Sequence, residues 1–271
     1  MYYITKLRKG AKGEGLTFYG PEEALIAYNE GKVDIHAIVN VVVKDLDKDG
    51  KIVDVMMKET SVGRVIVNEI VPAEVGYLNT IISKKSLRDI ISDVIKAVGV
   101  ARACEFLDGI KNLGYYMAFK GGLSFNLGDI IIPKEKEELV KRGNEEVEQI
   151  MMNYNMGFIT DNERYNQVID TWTHVNSDLS DILYKTIKND DQGFNSVFMM
   201  LDSGARGSKE QIRQLSGMRG LMAKPQKAGA EGAQIIENPI LSNFKEGLSV
   251  LEYFISTTVL VRFGGYSVED C

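Results

Sequence analysis

The sequence predicts an α+β fold, in which a mixed domain with a β-hairpin precedes a mainly α-helical domain with a protruding antiparallel helical hairpin. The first sign is a β-branched run at residues 36–43, followed by a second apolar run at residues 52–57. Lys48, Asp49 and Gly50 lie between the two runs, and Asp-Gly in that place is typical of a hairpin turn. The second sign is an abrupt change after Pro133 to charged residues and helix formers. This change predicts that a helical domain follows.

Composition indicates an ordinary globular protein. The chain has 271 residues, of which 44% are hydrophobic and 26% charged, with a formal net charge of -6. An acidic chain does not neutralise phosphates by itself, so partners would have to hold any nucleic acid. The chain shows no signal pattern, no apolar run of eighteen residues and only two cysteines. These features predict a cytoplasmic protein with no membrane contact, no disulfide framework and no cysteine-rich zinc site.

The first domain contains several further predicted elements. A short helix is expected at residues 22–28, after the Gly-Pro turn signal. Apolar spacing predicts a helix at residues 84–98, with Gly99 as its stop, and another helix at residues 100–113. Residues 60–71 fit a strand or a helix equally well, because their periodicity does not separate the two.

Two stretches of the first domain look like ligand sites but lack essential residues. Asp45, Asp47 and Asp49 fit the first half of a calcium loop, yet Met56 stands where a bidentate glutamate is required. Residues 114–129 are rich in glycine and aromatic residues, but they fit no phosphate-binding spacing. We therefore predict no metal site, and we expect these glycines to pack against a neighbouring backbone.

The helical domain should begin with a hairpin of two helices at about residues 134–188. The first helix carries Val140, Val147, Met151 and Tyr154 on one side, and Thr160 with Glu163 forms a capping box for the second. Steps of three and four residues define a seam on the second helix, made by Tyr165, Val168, Trp172, Val175, Leu179 and Ile182.

Other residues of the hairpin admit more than one interpretation. His174 lies off the seam and is expected to be solvated. Met151, Met152 and Met156, together with Trp172, fit a soft-metal or partner site, although a core stripe is the simpler interpretation. A helical hairpin with charged outer faces is also a common docking surface for other proteins.

The stretch at residues 194–225 organises the rest of the chain. Gly204 and Gly207 bracket Arg206, which predicts a loop that presents this arginine. Ser208 is the expected N-cap of a following helix with one apolar stripe, which runs through Gln211, Ile212, Leu215, Met218 and Leu221. Two structural alternatives stay open. The arginines Arg206, Arg213 and Arg219 could simply be solvated, or Asp202 could hold Arg206 as an ion pair.

The literal strings in this stretch carry a resemblance. Residues 203–208 read SGARGS, residues 211–225 read QIRQLSGMRGLMAKP, and residues 253–257 read YFIST. Together with NFKEGL at residues 243–248 and with YYITK and AKGEG near the N-terminus, they closely resemble the largest, beta-prime, subunit of bacterial DNA-directed RNA polymerase. The resemblance extends over nearly the whole chain.

The resemblance implies a role in transcription for each part of the chain. Residues 1–129 resemble the pore domain, residues 130–236 the funnel domain with its rim hairpin, and residues 237–271 the start of the bridge-helix region. In that family, nucleotides reach the active site through the secondary channel that these parts form. Secondary-channel regulators and transcript-cleavage factors dock on the rim. The implied partners in the assembled enzyme are the other polymerase subunits, nucleoside triphosphates, the RNA 3' end and DNA.

The same resemblance implies the residues that contact nucleotide. Arg206 corresponds to a residue near the phosphates of the incoming nucleotide, Met200 lies beside the same pocket, and Gln211 and Gln214 follow on the funnel helix. A guanidinium suits this role because it offers planar, bidentate contact to phosphate oxygens. Glycines on either side let backbone and ligand approach closely.

Two departures from the family pattern limit the expected activity. The catalytic metal loop Asn-Ala-Asp-Phe-Asp-Gly-Asp does not occur in this sequence, so no catalytic residue is assigned and the magnesium of the complete enzyme should be bound outside this chain. After Thr257 the sequence leaves the family pattern. We therefore expect a fragment of the nucleotidyltransferase that is inactive alone. The alternative is a free-standing helical module that binds proteins through the hairpin at residues 134–188.

Overall fold

The computed structural model describes residues 1–46, 52–223 and 234–260. Its helices in chain order are α1 (Tyr2–Thr5), α2 (Pro21–Asn29), α3 (Val62–Asn68), α4 (Lys84–Gly121), α5 (Lys136–Asn155), α6 (Asp161–Asn189), α7 (Ser196–Ser203), α8 (Lys209–Ser216) and α9 (Val250–Leu260). A small mixed sheet accompanies them, so the predicted α+β class is confirmed. The chain divides into two compact units. One contains residues 1–124 and 199–206, and the other contains residues 125–198 and 207–271.

The sheet of the first unit has three strands in the order β1 (Thr17–Phe18), β2 (Ile38–Leu46) and β3 (Ile52–Ser61). β1 pairs with β2 in parallel, and β2 pairs with β3 antiparallel. The two predicted hairpin strands are therefore confirmed. The turn between them, which includes Asp47, Asp49 and Gly50 of the calcium-like pattern, lies outside the described residues.

The segment at residues 60–71, which fitted a strand or a helix equally well, contains the end of β3 followed by α3. The strand ends at Ser61, and the Ser61 hydroxyl then accepts a hydrogen bond from the backbone N–H of Arg64. This side-chain cap starts α3 immediately after the strand. Its apolar side chains enter the same core as the valines of β2, and these buried residues include Val39, Val41, Val62, Val65 and Val67.

α4 is two helical segments joined at Gly99. This residue has φ 78° and ψ 175°, a conformation that glycine adopts without steric cost, so the predicted interruption is confirmed. The second segment, however, continues to Gly121 instead of ending near Leu113. The expectation that glycines here pack on a neighbouring backbone is wrong. A Cβ added at Gly114 would meet nothing within 4 Å, and one at Gly121 would meet only side chains, nearest the Tyr3 ring at 3.3 Å.

α5 and α6 form the expected antiparallel hairpin in the second unit. Thr160 and Glu163 make the predicted capping box at the start of α6. The inner face of α6 is buried at Val168, Trp172, Val175, Leu179, Leu183 and Ile187. Ile182 was expected in this row, but Leu183 occupies its place because a straight helix drifts relative to a 3.5-residue repeat.

The face of α5 that packs against α6 differs from the prediction. Leu139, Val147 and Ile150 pack against the α6 core, whereas Met151 and Tyr154 are exposed. Gly143 permits the close approach of the two helices, since a Cβ at this position would lie 3.1 Å from the Trp172 ring. The predicted core stripe is confirmed at Trp172, which is buried, but it is wrong for the methionines, because Met152 and Met156 are exposed as well.

Candidate functional site

The loop after α7 has the geometry that its two glycines predict. Gly204 and Gly207 have φ values of 72° and 91°, in the left-handed region that side chains disfavour. The Ser203 hydroxyl donates a hydrogen bond to the carbonyl of Met200 and accepts one from the N–H of Ala205. These local bonds fix the backbone on the N-terminal side of Arg206.

Arg206 is exposed on this loop. Within the part of the chain that the structure describes, its side chain has no hydrogen bond or ion pair. Asp202, the alternative structural partner, instead accepts a hydrogen bond of 2.5 Å from the Tyr2 hydroxyl. The interpretation of Arg206 as one half of a local ion pair is therefore wrong.

The other predicted site residues have local structural partners. Met200 is half-buried and belongs to the first unit with Arg206, whereas Gln211 and Gln214 belong to the second. The Gln211 side chain accepts a hydrogen bond of 2.9 Å from the N–H of Ser208, and the Ser208 hydroxyl accepts one of 3.3 Å from the N–H of Gln211. This capping box confirms Ser208 as the N-cap of α8.

Gln214 is tied to its surroundings at two points. Its side-chain amide donates to a Glu210 carboxylate oxygen at 3.2 Å, and its backbone carbonyl accepts from the N–H of Phe244 at 3.2 Å. Both glutamines thus stabilise α8 or its contacts. Their expected role in binding nucleotide stays a prediction.

α8 is shorter than its apolar stripe predicted. It ends at Ser216, so Met218 and Leu221 are not helical. Gly220 instead pairs with Ile240 in an antiparallel bridge, with both backbone hydrogen bonds at 2.9 Å. Asn243 holds the same two segments together, because its side-chain amide donates to the carbonyls of Ser216 and Gly217 at 3.2 Å each. We call residues 216–220 together with residues 240–246 the α8 latch.

Arg213 is a structural residue that no sequence pattern distinguishes from the neighbouring arginines. It is only 7% exposed, so its expected solvation is wrong. The guanidinium donates to a Glu210 carboxylate, to the Asn176 side chain and to the carbonyls of Met218 and Arg219. Burial lowers the pKa of this guanidinium, although the nearby oxygens keep it a hydrogen-bonded cation.

The α5–α6 hairpin offers a separate polar groove. A cavity of about 360 Å³ is lined by Arg142, Glu146, Ile150, Gln167, Asp170, Thr171, His174 and Val175. His174 is exposed, as expected, and its Nδ1 forms a hydrogen bond of 2.8 Å with the carbonyl of Asp170. The groove presents charges of both signs, which suits polar side chains of a partner better than an apolar ligand.

The tip of the hairpin exposes apolar side chains. Met152, Met156 and Phe158 are 51%, 66% and 75% exposed. Behind them, Arg164 donates hydrogen bonds to Glu237 and Asp161, and its guanidinium lies 5.4 Å from the centre of the Tyr154 ring. These carboxylates raise the pKa of Arg164, which stays charged throughout the ordinary pH range. The ion pairs of Arg164 thus hold the base of the tip in place, while the exposed apolar side chains, two of them methionines, can adapt to a partner.

The described residues form neither a metal-ligand cluster nor a membrane-spanning helix. Across residues 1–46, 52–223 and 234–260, no three His, Cys, Asp or Glu side chains are placed to hold a metal ion. No helix in these ranges is both long and apolar enough to cross a membrane.

Comparison with known proteins identifies the family. Residues 1–130 match the family described as RNA polymerase Rpb1, domain 3, and residues 159–245 match RNA polymerase Rpb1, domain 4. The chain is similar to DNA-directed RNA polymerase subunit beta' of Bacteroides fragilis (87% identity), Bacteroides thetaiotaomicron (85%) and Flavobacterium johnsoniae (56%). Each match covers 95% of this chain.

The chain spans only 18% of the length of each of these three relatives. The two matched domains follow one another in the same order as the two regions that the sequence strings suggested. The chain therefore belongs to the family of the beta' subunit of bacterial DNA-directed RNA polymerase and corresponds to a part of that subunit.

Proposed function

We propose that this chain forms part of the secondary channel through which nucleotides reach the active site of DNA-directed RNA polymerase. The observation that carries the proposal is Arg206, an exposed cation that has no partner among the described residues and that two glycines in left-handed conformations flank. An exposed guanidinium without a protein acceptor can bind an anionic ligand without first breaking an ion pair of the fold.

The chemistry of Arg206 fits a polyphosphate. Its guanidinium donates two parallel hydrogen bonds to phosphate oxygens, and charge-assisted bonds of this kind are stronger than neutral ones. We propose that Met200 packs beside the same nucleotide and that Gln211 and Gln214 contact it from α8. The capping role of Gln211 uses only its side-chain oxygen, so its amide N–H₂ group is available to a ligand.

Catalysis itself is proposed to lie outside this chain. Magnesium clamps the reacting oxygens in phosphoryl transfer, and its ligands are carboxylates in proteins. The family's catalytic metal loop does not occur in this sequence, so we propose that the residues of this chain guide and orient nucleotide while residues elsewhere bind the metal. In the assembled enzyme, the remaining subunits, the RNA 3' end and DNA would complete the site.

The proposed boundaries follow the family's regions. Residues 1–129 would form the pore domain, residues 130–236 the funnel domain, and residues 237–271 the beginning of the bridge-helix region with a divergent tail. The hairpin at residues 134–188 would be the rim on which transcript-cleavage factors and other regulators dock. Its exposed Met152, Met156 and Phe158 and the polar groove beside His174 support that part of the proposal.

The test is single-nucleotide addition by a polymerase assembled with the full-length subunit carrying Arg206→Ala. Loss of a charge-assisted phosphate contact costs about 1.5 to 3 kcal/mol, so addition should slow roughly ten- to a hundredfold. Arg88→Ala is the matched control, because Arg88 is also exposed, lies in the same unit and makes no ion pair within the described residues. Equal rates for the two variants would contradict the proposal.

A further inference from the structure

The buried cations of the second unit differ in whether they have an ion-pair partner. Among the residues described in this unit, the buried lysines and arginines are Lys136, Arg213 and Arg219. Lys136 pairs with Glu246 at 2.5 Å, and Arg213 pairs with Glu210. Arg219 has no ion pair and no side-chain hydrogen bond in the described part of the chain.

The guanidinium of Arg219 is nevertheless held in a defined place. Its central carbon lies 5.0 Å from the centre of the Phe244 ring, and its Nε is fully buried without an acceptor. Burial lowers the pKa of this guanidinium, and no acidic group among the described residues opposes the shift. Phe244 is 47% exposed, so the pair reaches the surface of the unit.

The α8 latch explains why this arrangement is rigid. The N–H of Arg219 donates to the carbonyl of Ser242 at 3.2 Å, and the N–H of Phe244 donates to the carbonyl of Gln214 at 3.2 Å. Asn243, which is fully buried, donates hydrogen bonds to the carbonyls of Ser216 and Gly217. Arg219 and Phe244 are therefore fixed relative to one another by the backbone and not only by their own contact.

The free-energy cost of a buried charge favours a permanent counter-ion for Arg219 over a transient one. A buried charge without a partner destabilises a fold strongly, because it loses hydration and gains no Coulomb attraction in return. A nucleotide that comes and goes would leave the cation uncompensated for part of every cycle. A carboxylate that belongs to the assembled enzyme would compensate it throughout.

The surface also has the composition of a protein contact. Arginine and aromatic side chains are enriched at the centres of interfaces, where they act as anchors. Most of the subunit lies outside this chain, since the chain spans 18% of the length of its relatives. A protein segment from that remainder, or from another subunit, is thus available to cover the pair in the assembled enzyme.

We infer that Arg219 and Phe244 form a docking point for an acidic side chain from a part of the polymerase outside this chain. The carboxylate accepts hydrogen bonds from the guanidinium of Arg219, while the ring of Phe244 packs against the apolar stem of the same segment. The inference rests on the proposed assembly into polymerase, but it does not depend on nucleotide contact at Arg206.

The first test places the photo-crosslinking residue p-benzoylphenylalanine at position 244 of the full-length subunit in assembled polymerase. Mass spectrometry of the crosslinked peptides should identify an Asp- or Glu-containing segment that is not part of the 271 residues. A crosslink confined to the 271 residues of this chain, or the absence of any crosslink, would overturn the inference.

The second test is a double-mutant cycle on thermal melting of the same polymerase. Arg219→Met and the neutral amide variant of the identified acidic residue should each lower the melting temperature, and the double variant should melt no lower than the more affected single variant. Additive losses would show that the two residues do not pair, which would also overturn the inference. Neither readout involves nucleotide addition, so a failure here is distinguishable from a failure of the proposed channel function.

A control in the 271-residue chain separates docking from folding. Arg219→Met should leave its melting temperature unchanged or raised, because the variant removes an uncompensated charge and keeps an apolar contact with Phe244. Arg213→Met should lower it, since that guanidinium already has its partners. If Arg219→Met lowers the melting temperature as much as Arg213→Met does, Arg219 is compensated within the chain and the inference fails.

Discussion

The loop around Arg206 and the α8 latch around Arg213 come from the same basic stretch of sequence but use arginine in opposite ways. Between residues 194 and 227 the sequence has six basic and two acidic residues, which does not distinguish one arginine from another. In the structure Arg206 is exposed without a partner among described residues, whereas Arg213 is buried with four groups accepting its protons. In the second unit, residues 240–246 form backbone hydrogen bonds with the end of α8 and with the residues after it, where Arg213 is buried. Burial and hydrogen bonding therefore distinguish Arg213, which stabilises the fold, from Arg206, whose guanidinium is exposed to solvent.

The largest expected effect on stability is at Arg213. Replacing it with methionine would leave the Asn176 side chain and the carbonyls of Met218 and Arg219 without their donor in a buried place. We expect the free energy of unfolding of the chain to fall by about 3 kcal/mol, as when one partner of a buried pair is removed. Denaturant unfolding measures this loss, and a change under about 1 kcal/mol would mean that the latch does not depend on Arg213.

A smaller effect is expected at Asn243, which joins the two halves of the latch. Asn243→Ala removes the donor to the carbonyls of Ser216 and Gly217 and the acceptor for the N–H of Glu246. Unfolding free energy should decrease by about 2 kcal/mol because these buried groups lose their hydrogen bonds. Asn153→Ala on the exposed surface of α5 is the control and should have almost no effect. If Asn243→Ala and Asn153→Ala lower the unfolding free energy by similar amounts, the hydrogen bonds of the α8 latch do not explain the loss.

The N-cap of α8 should contribute less to stability than Arg213 or Asn243. Ser208→Ala breaks the capping box with Gln211 and should cost about 1 kcal/mol in unfolding free energy. Thr160→Ala at the start of α6 is a matched comparison, because Thr160 forms the same kind of box with Glu163. Chemical denaturation of both variants should therefore give losses of similar size. A loss confined to Thr160→Ala would indicate that the capping box at Ser208 does not stabilise α8.

Local signals predicted much of this fold. The strands on either side of residues 47–51, the interruption at Gly99 and the capping boxes at Thr160 and Ser208 depend on residues close together in the chain. The seam of α6 was predicted as far as Leu179 because helical periodicity identifies one face. Beyond that residue, the accumulated drift of the helix brought Leu183 into the core instead of Ile182.

Features that depend on distant partners were not predictable in this way. The apolar stripe continued through Met218 and Leu221, but Gly220 pairs with Ile240 and the helix ends at Ser216. The burial of Arg213 likewise requires Asn176, which lies 37 residues earlier. For the candidate site, the exposure of Arg206 followed from its glycines, whereas contact of Met200, Gln211 and Gln214 with nucleotide rests on the family resemblance alone.

The most direct test of the account compares Arg206→Ala with Arg213→Met in two measurements. One is the unfolding free energy of the chain, and the other is single-nucleotide addition by polymerase assembled with the full-length subunit. Arg206→Ala should change stability by less than about 0.5 kcal/mol, as expected of a surface position, and slow nucleotide addition roughly ten- to a hundredfold. Arg213→Met should mainly reduce stability. If Arg206→Ala unfolds the chain while the assembled variant adds nucleotides at the normal rate, Arg206 is structural and the proposed role in the channel is contradicted.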